Sequence, residues 1–238
     1  MKTVILAGGL GTRLGDLGRE RPKALMPVLG RPFLAHVFDL LRSHGLTRCL
    51  LLVGHKADQI EREFGDGAAG GQLSYRADGP LLLGTGGALR AALPQLEPVF
   101  LVLYGDTFLD IDYQQVISAF RASGKPALMT VFRNAGQFDA SNVVFRDGKL
   151  LVYDKRQRTP EMDYIDYGLA ALRREVVAEL PPETAVDLAA LYTRLVAEGR
   201  MDGLEVHQRF YEIGTPAALA EAERHLAERQ RQAGRQRR

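Results

Sequence analysis

The chain has 238 residues, 46% of them hydrophobic and 25% charged, with a formal net charge of +2. These values fit one large globular domain, or one domain with a small insertion, and argue against a general nucleic-acid-binding surface. No apolar stretch reaches membrane-spanning length, the lone Cys49 rules out an intrachain disulfide, the five histidines lack zinc-ligand spacing, and no signal-peptide plan precedes the first strand, so the expected setting is cytoplasmic.

Thr3 to Ala7 is a short apolar run rich in β-branched residues and reads as a strand buried on both faces. It stops at Gly8, Gly9 and Gly11, followed by Arg13 and, ten residues later, by Lys23 beside Pro22. A bare-backbone loop at a strand's carboxyl end with two cations makes a cradle for a polyphosphate; without the cations it would be only a tight strand-to-helix turn. Two familiar phosphate loops are excluded. Leu14 stands where the P-loop needs its lysine, and also where the dinucleotide fingerprint needs its third glycine.

Pro32 suits the first turn of a helix whose apolar face is Leu34, Val37, Phe38, Leu40 and Leu41, with Gly45 as its stop. Arg48 to Val53 predicts a second buried strand, Ala57 to Phe64 a short amphipathic helix, and Gln72 to Ala77 a third strand. This alternation means an α/β fold with a mostly parallel sheet, whose ligands sit outside the strands' carboxyl ends. A second glycine cluster, Gly84-Thr85-Gly86-Gly87, opens a helix predicted from Ala88 to Leu93, with Thr85 as a cap. Val99 to Tyr104 is the most strand-like run and ends in Gly105-Asp106, a carboxylate placed where a ligand would stand. Asp112 caps a helix from Tyr113 to Ala122. Beyond it the pattern changes to antiparallel pieces: Ala127 to Arg133, Ser141 to Phe145, an Asp147-Gly148 hairpin turn and Lys149 to Tyr153. Asn142 either bonds a ligand hydroxyl or is an ordinary edge-strand residue. Arg173 to Leu180 and Asp187 to Glu198 read as helices, Leu204 to Val206 and Arg209 to Tyr211 as short strands, and Thr215-Pro216 as the start of a last helix, Ala217 to Arg229. Residues 1–230 form one expected domain with halves at 1–123 and 124–230, and a flexible basic tail is expected at 231–238.

The pattern G-G-x-G-T-R followed by P-K-A-L-M-P resembles the signature of the sugar-1-phosphate nucleotidylyltransferases, in the short form without a β-helix domain. The resemblance implies a Rossmann-like three-layer sandwich that joins a nucleoside triphosphate to a sugar 1-phosphate and releases pyrophosphate with Mg²⁺. It implies nucleotide contacts at Leu6, Ala7, Gly8, Gly9, Gly11, Thr12, Arg13, Lys23, Gly84, Thr85 and Gly105, with Arg13, Lys23 and Asp106 as the catalytic set. Sugar-phosphate contacts fall on Asn142, Lys155, Asp166 and Gly168, with Arg156 a rival to Lys155. Asp106 is implied as a metal ligand together with Glu212, which stands where the family carries Asp, one methylene shorter. Tyr104 replaces the Asn that often precedes Gly-Asp, and Asp166 replaces another Asn. The short chain and the Leu-Gly-Thr-Gly-Gly segment look most like guanylyltransferases for mannose or heptose 1-phosphates. A uridylyltransferase for an amino-sugar 1-phosphate, a cytidylyltransferase for a non-sugar phosphate and a non-catalytic regulatory relative are the alternatives. Oligomeric state is not legible.

Overall fold

The computed structural model describes residues 1–9, 11, 14, 18, 20–67, 70–79 and 82–236. Thr12 and Arg13, both expected at the nucleotide, lie outside the described residues. In chain order the elements are β1 (Lys2–Ala7), a 3-10 turn (Lys23–Leu25), β2 (Pro27–Val28), β3 (Arg31–Pro32), α1 (Phe33–Ser43), β4 (Arg48–Val53), α2 (Ala57–Phe64), β5 (Gln72–Ala77), α3 (Gly84–Ala91), a second 3-10 turn (Leu93–Gln95), β6 (Val99–Tyr104), β7 (Thr107–Phe108) and α4 (Tyr113–Ser123). They continue with β8 (Ala127–Arg133), β9 (Val143–Arg146), β10 (Lys149–Tyr153), β11 (Tyr164–Arg173), α5 (Arg174–Ala178), α6 (Leu188–Ala197), β12 (Met201–Val206), β13 (Tyr211–Glu212) and α7 (Pro216–Gln236).

A nine-stranded sheet carries the fold. β1 is an interior strand, parallel to β4 on one side and β6 on the other, and β5 continues the parallel run beyond β4. On the far side of β6 comes β11, antiparallel both to it and to β8, while β12 runs parallel to β8. β11 is thus the strand that reverses direction in this path. The β9–β10 hairpin hangs from its start through Tyr164 and Val143, and turns on Asp147-Gly148 with positive φ at both residues, as that dipeptide favours.

Side chains alternate across β1 and so feed two cores. Ile5 joins the layer made by α1, α2, α4 and α7, through residues such as Phe33, Leu41, Ile60, Phe120 and Leu226. Val4 and Leu6 join the layer made by α3, α5 and α6, through Leu89, Val177, Leu188 and Leu195. Helices therefore cover both faces, the arrangement a sheet buried on both sides requires. Among the described helices none is long and apolar enough to cross a membrane. The last helix runs to Gln236, past the Arg229 expected from sequence, and α5 is shorter than expected.

Candidate active site

The carboxyl ends of β1, β4, β5 and β6 meet at one edge, and a cavity of about 270 Å³ opens there. Leu6, Ala7, Gly8, Gly9, Lys23, Gly84, Thr85, Gly105 and Asp106 all line it. Gly105 is held to β1 by its N–H, which donates to the Leu6 carbonyl at 2.9 Å. A Cβ on Gly105 would sit 3.2 Å from Ala7 Cβ, Ile5 Cγ2 and the Leu6 oxygen, so the close approach of β6 to β1 favours glycine. Lys23, placed by the 3-10 turn after Pro22, donates from Nζ to Asp106 Oδ2 at 2.9 Å. The two side chains are 15% and 28% exposed, and both line the cavity. Gly11 does not line the cavity; it stands behind Lys23, where a Cβ would come within 3.3 Å of the lysine Cγ.

The opposite wall is α3, and here the expected placement changes. The second glycine cluster does not precede the helix but forms its first turn, with Leu83 as N-cap. The reason is a backbone crossing: the Gly86 and Gly87 N–H groups donate to the Val186 carbonyl at 2.8 and 3.1 Å, and Val186 N–H returns a bond to Leu83. A Cβ on Gly87 would lie 2.5 Å from the Thr184 carbonyl. Thr85 does not cap its own helix. Its hydroxyl accepts from Leu188 N–H at 2.8 Å and donates to Asp187 Oδ1 at 3.1 Å, tying α3 to the start of α6. Asp187 also accepts from Ala189 N–H and caps α6, as predicted.

A second cavity, of about 360 Å³, adjoins the first and shares Tyr104 with it. Asn142, Lys155, Asp166, Gly168 and Glu212 line it, so the expected sugar-side residues converge there, and Lys155 rather than Arg156 belongs to its wall. Asp166 is 5% exposed. Its carboxylate accepts from Gly168 N–H at 3.0 Å and from Tyr153 Oη at 3.3 Å, with Lys155 Nζ at 3.9 Å. Burial pushes the Asp166 carboxyl above its usual range, and Lys155, the Gly168 amide and Tyr153 oppose that rise. Asn142 accepts the Asp166 N–H on its Oδ1 at 2.9 Å, which leaves its amide donors for other partners. Gly168 has φ +98° and sits where the β11–β8 register shifts between Asp166 and Ala170, a bulge that turns the strand toward the cavity. Asp154, one residue before Lys155, accepts from the Arg156 and Gln157 N–H groups at 2.7 and 2.9 Å, and these amides hold its carboxyl below the usual range.

Asp106 and Glu212 are distant in sequence and joined in space. Thr107 of β7 pairs with Glu212 of β13, and Ile213 N–H donates to the Asp106 carbonyl at 3.0 Å. Asp106 faces the first cavity and Glu212 the second. Two carboxylates, completed by phosphate oxygens and water, match the donor chemistry that Mg²⁺ accepts. Among the described residues no group of three or more His, Cys, Asp or Glu side chains forms a metal cluster.

Sequence reasoning missed Asp78, which lines the first cavity one residue past the end of β5. The rule that located Asp106, a carboxylate just beyond a parallel strand, would have found it. Burial raises the Asp78 carboxyl above its usual range, against the opposing Leu83 N–H and Arg76.

Two cavities at the carboxyl edge of a parallel sheet, with a glycine-rich first loop and a Lys–Asp pair at the mouth, define an α/β nucleotide-binding domain. Residues 2–145 match the family model described as nucleotidyl transferase, and the chain belongs to that family. It is 37% identical over 177 residues to the D-glycero-alpha-D-manno-heptose 1-phosphate guanylyltransferase of Campylobacter jejuni, covering 74% of this chain and 77% of that one. It is 30% identical over 217 residues to the UTP–glucose-1-phosphate uridylyltransferase of Synechocystis, covering 84% of this chain and 56% of the relative, so the chain spans only about half that relative's length. Among solved structures, HddC from Yersinia pseudotuberculosis superposes with a TM-score of 0.79 at 23% identity, over 94% of this chain and 99% of that one. The inositol-1-phosphate CTP transferase of T. maritima superposes at 0.74 and 19% identity, over 91% and 90% of the two chains. These likenesses agree with the three-layer fold expected from sequence.

Proposed function

We propose that the protein transfers a nucleoside monophosphate from a triphosphate to a sugar 1-phosphate, releasing pyrophosphate. The observation that carries this reading is the pair of adjoining cavities with Lys23 and Asp106 at the mouth of one and Lys155 and Glu212 in the other. An oxygen of the sugar phosphate attacks the α-phosphorus, and the bond from that phosphorus to the β-phosphate oxygen breaks. Both reactants are anions, and two like unit charges 4 Å apart repel by about 4 kcal/mol at an effective dielectric near 20. The Gly8 and Gly9 backbone and Arg13 take the β- and γ-phosphates. Lys23, with three donors, serves Asp106 and the α-phosphate together. Lys155 neutralises the incoming phosphate, and Asp166 and Asn142 orient the sugar. Asp106 and Glu212 are the residues that would hold Mg²⁺, which would supply neutralisation of phosphate charge. No general base is needed, because the nucleophile is already ionised; rate comes from positioning and charge compensation.

The preferred pair is GTP with a mannose- or heptose-type 1-phosphate. The Campylobacter relative supports it, as does Asp78, an acceptor at the wall of the first cavity suited to guanine's N–H groups. The second reading, a uridylyltransferase, draws on the Synechocystis relative. Residues 1–230 act as one domain, with nucleotide contacts mainly before residue 124 and sugar-phosphate contacts after it. The reaction belongs in the cytoplasm and invokes neither nucleic acid nor membrane. The test is pyrophosphate release from four triphosphates against a panel of sugar 1-phosphates, with and without Mg²⁺. Turnover with GTP, lost by about 100-fold or more in Lys23→Ala and Asp106→Ala while both stay folded, is the expected result. No release with any pair, or normal turnover in either variant, overturns the reading.

A further inference from the structure

Tyr104 ends β6 and lines both cavities at once. Its ring lies beneath the Lys155 ammonium, with Nζ 5.5 Å from the ring centroid, within the range of a cation–π contact. The bulge at Gly168 brings backbone against the same ring: a Cβ there would be 3.5 Å from Tyr104 Cδ2. The Tyr104 hydroxyl forms no hydrogen bond with any described residue, and it is not among the buried polar atoms sealed away without a partner. A phenolic hydroxyl on a residue that lines both cavities, bonded to no described residue, has its hydrogen bond in reserve for a ligand.

We propose that Tyr104 binds and selects the second substrate: its ring fixes the Lys155 ammonium at the sugar-side cavity, and its hydroxyl donates to the phosphate of the sugar 1-phosphate where the two cavities meet. This rests on the reading of that cavity as the sugar 1-phosphate site. The two roles separate by substitution. Tyr104→Phe keeps the ring and removes the donor; Tyr104→Leu removes both.

The experiment uses the full chain, with steady-state kinetics for each substrate at saturation of the other, and calorimetric titration of mannose 1-phosphate. Tyr104→Phe should raise the KM and Kd for the sugar phosphate about tenfold, as expected for a lost bond to a charged group, and leave the triphosphate KM within about twofold. Tyr104→Leu should weaken sugar-phosphate binding about fivefold further, and Lys155→Met should then cost less in that background than in the wild type. Melting temperatures identify any loss due to misfolding, and Tyr104→Phe, which keeps the packing, remains decisive if Tyr104→Leu unfolds. An unchanged sugar-phosphate KM and Kd in Tyr104→Phe, or a rise confined to the triphosphate, overturns the proposal and leaves the residue as a packing wall. If the wild type releases no pyrophosphate, the functional reading fails by itself. A tenfold weaker binding of mannose 1-phosphate to Tyr104→Phe would still uphold the role of Tyr104.

Discussion

Gly87→Ala tests whether the second glycine cluster exists for a backbone crossing. In an exposed helix the exchange adds up to about 1 kcal/mol of stability, because glycine is the poorer helix former. At residue 87 the new Cβ would stand 2.5 Å from the Thr184 carbonyl oxygen and 3.0 Å from Leu83 Cβ. The first of these is backbone and cannot rotate away, so the segment from Thr184 to Leu188 must move off α3. That movement stretches the Gly86 and Gly87 bonds to Val186 and the Leu188 bond to Thr85. Overpacking of this kind costs about 1–3 kcal/mol, and weakening three hydrogen bonds adds about 1 kcal/mol each. After subtracting the helix gain, the net loss is about 3–5 kcal/mol, or a melting temperature lower by about 6–20 °C for a domain of this size. Circular dichroism melts and urea titrations measure it, and the triphosphate KM should rise in parallel because Thr85 and Ala88 are cavity wall. Gly234→Ala is the control: it lies in α7 with nothing within 4 Å of the added carbon, and should be neutral or slightly stabilising. A Gly87→Ala protein as stable as the wild type would refute the account.

Acidification should weaken the attachment of α7. The His225 ring stacks on Tyr211 at 3.9 Å, and burial lowers its pKa below the usual 6.5, with Arg229 and Arg209 adding to the drop and Asp110 and Glu228 opposing it. The unfolded chain therefore binds the proton first, and stability falls as pH drops from 6.5 through the folded value. His225→Phe should flatten that limb of a urea-midpoint profile, and a slope identical to wild type would count against it. Glu212→Gln should weaken Mn²⁺ binding, read by electron paramagnetic resonance, by about tenfold, with turnover partly restored at high metal; unchanged affinity would remove Glu212 from the metal site. Asp78→Ala should reduce the preference for GTP over the other triphosphates by about tenfold or more, measured as a ratio of kcat/KM values, and an unaltered ratio would take Asp78 out of base selection.

The parallel half of the fold was legible because its signals are local. β4, α2, β5 and β6 begin and end where apolar runs and turn residues place them, as do β8 and β10 later in the chain. The placement of Gly8, Gly9, Lys23 and Asp106 at one sheet edge was equally legible, since a glycine cluster and a carboxylate after parallel strands mark such an edge. What failed was long-range. Gly84 to Gly87 reads as loop because glycine is a poor helix former, yet contact with Thr184 and Val186 overrides the propensity. The two-residue β7–β13 ladder carries too few residues for any periodic signal, so Glu212 could be placed only by resemblance. Tyr104 at the junction follows from the spatial meeting of β6 with the Gly168 bulge, which no local pattern encodes.

That small ladder also fixes when the acidic pair can exist. The glycine loop, Lys23 and Asp106 leave the ribosome long before Tyr211 and Glu212. A growing or clipped polypeptide that stops short of β13 therefore carries one half of the pair, and chemistry that draws on both acids is reserved for chains whose final segment has folded back onto residue 107.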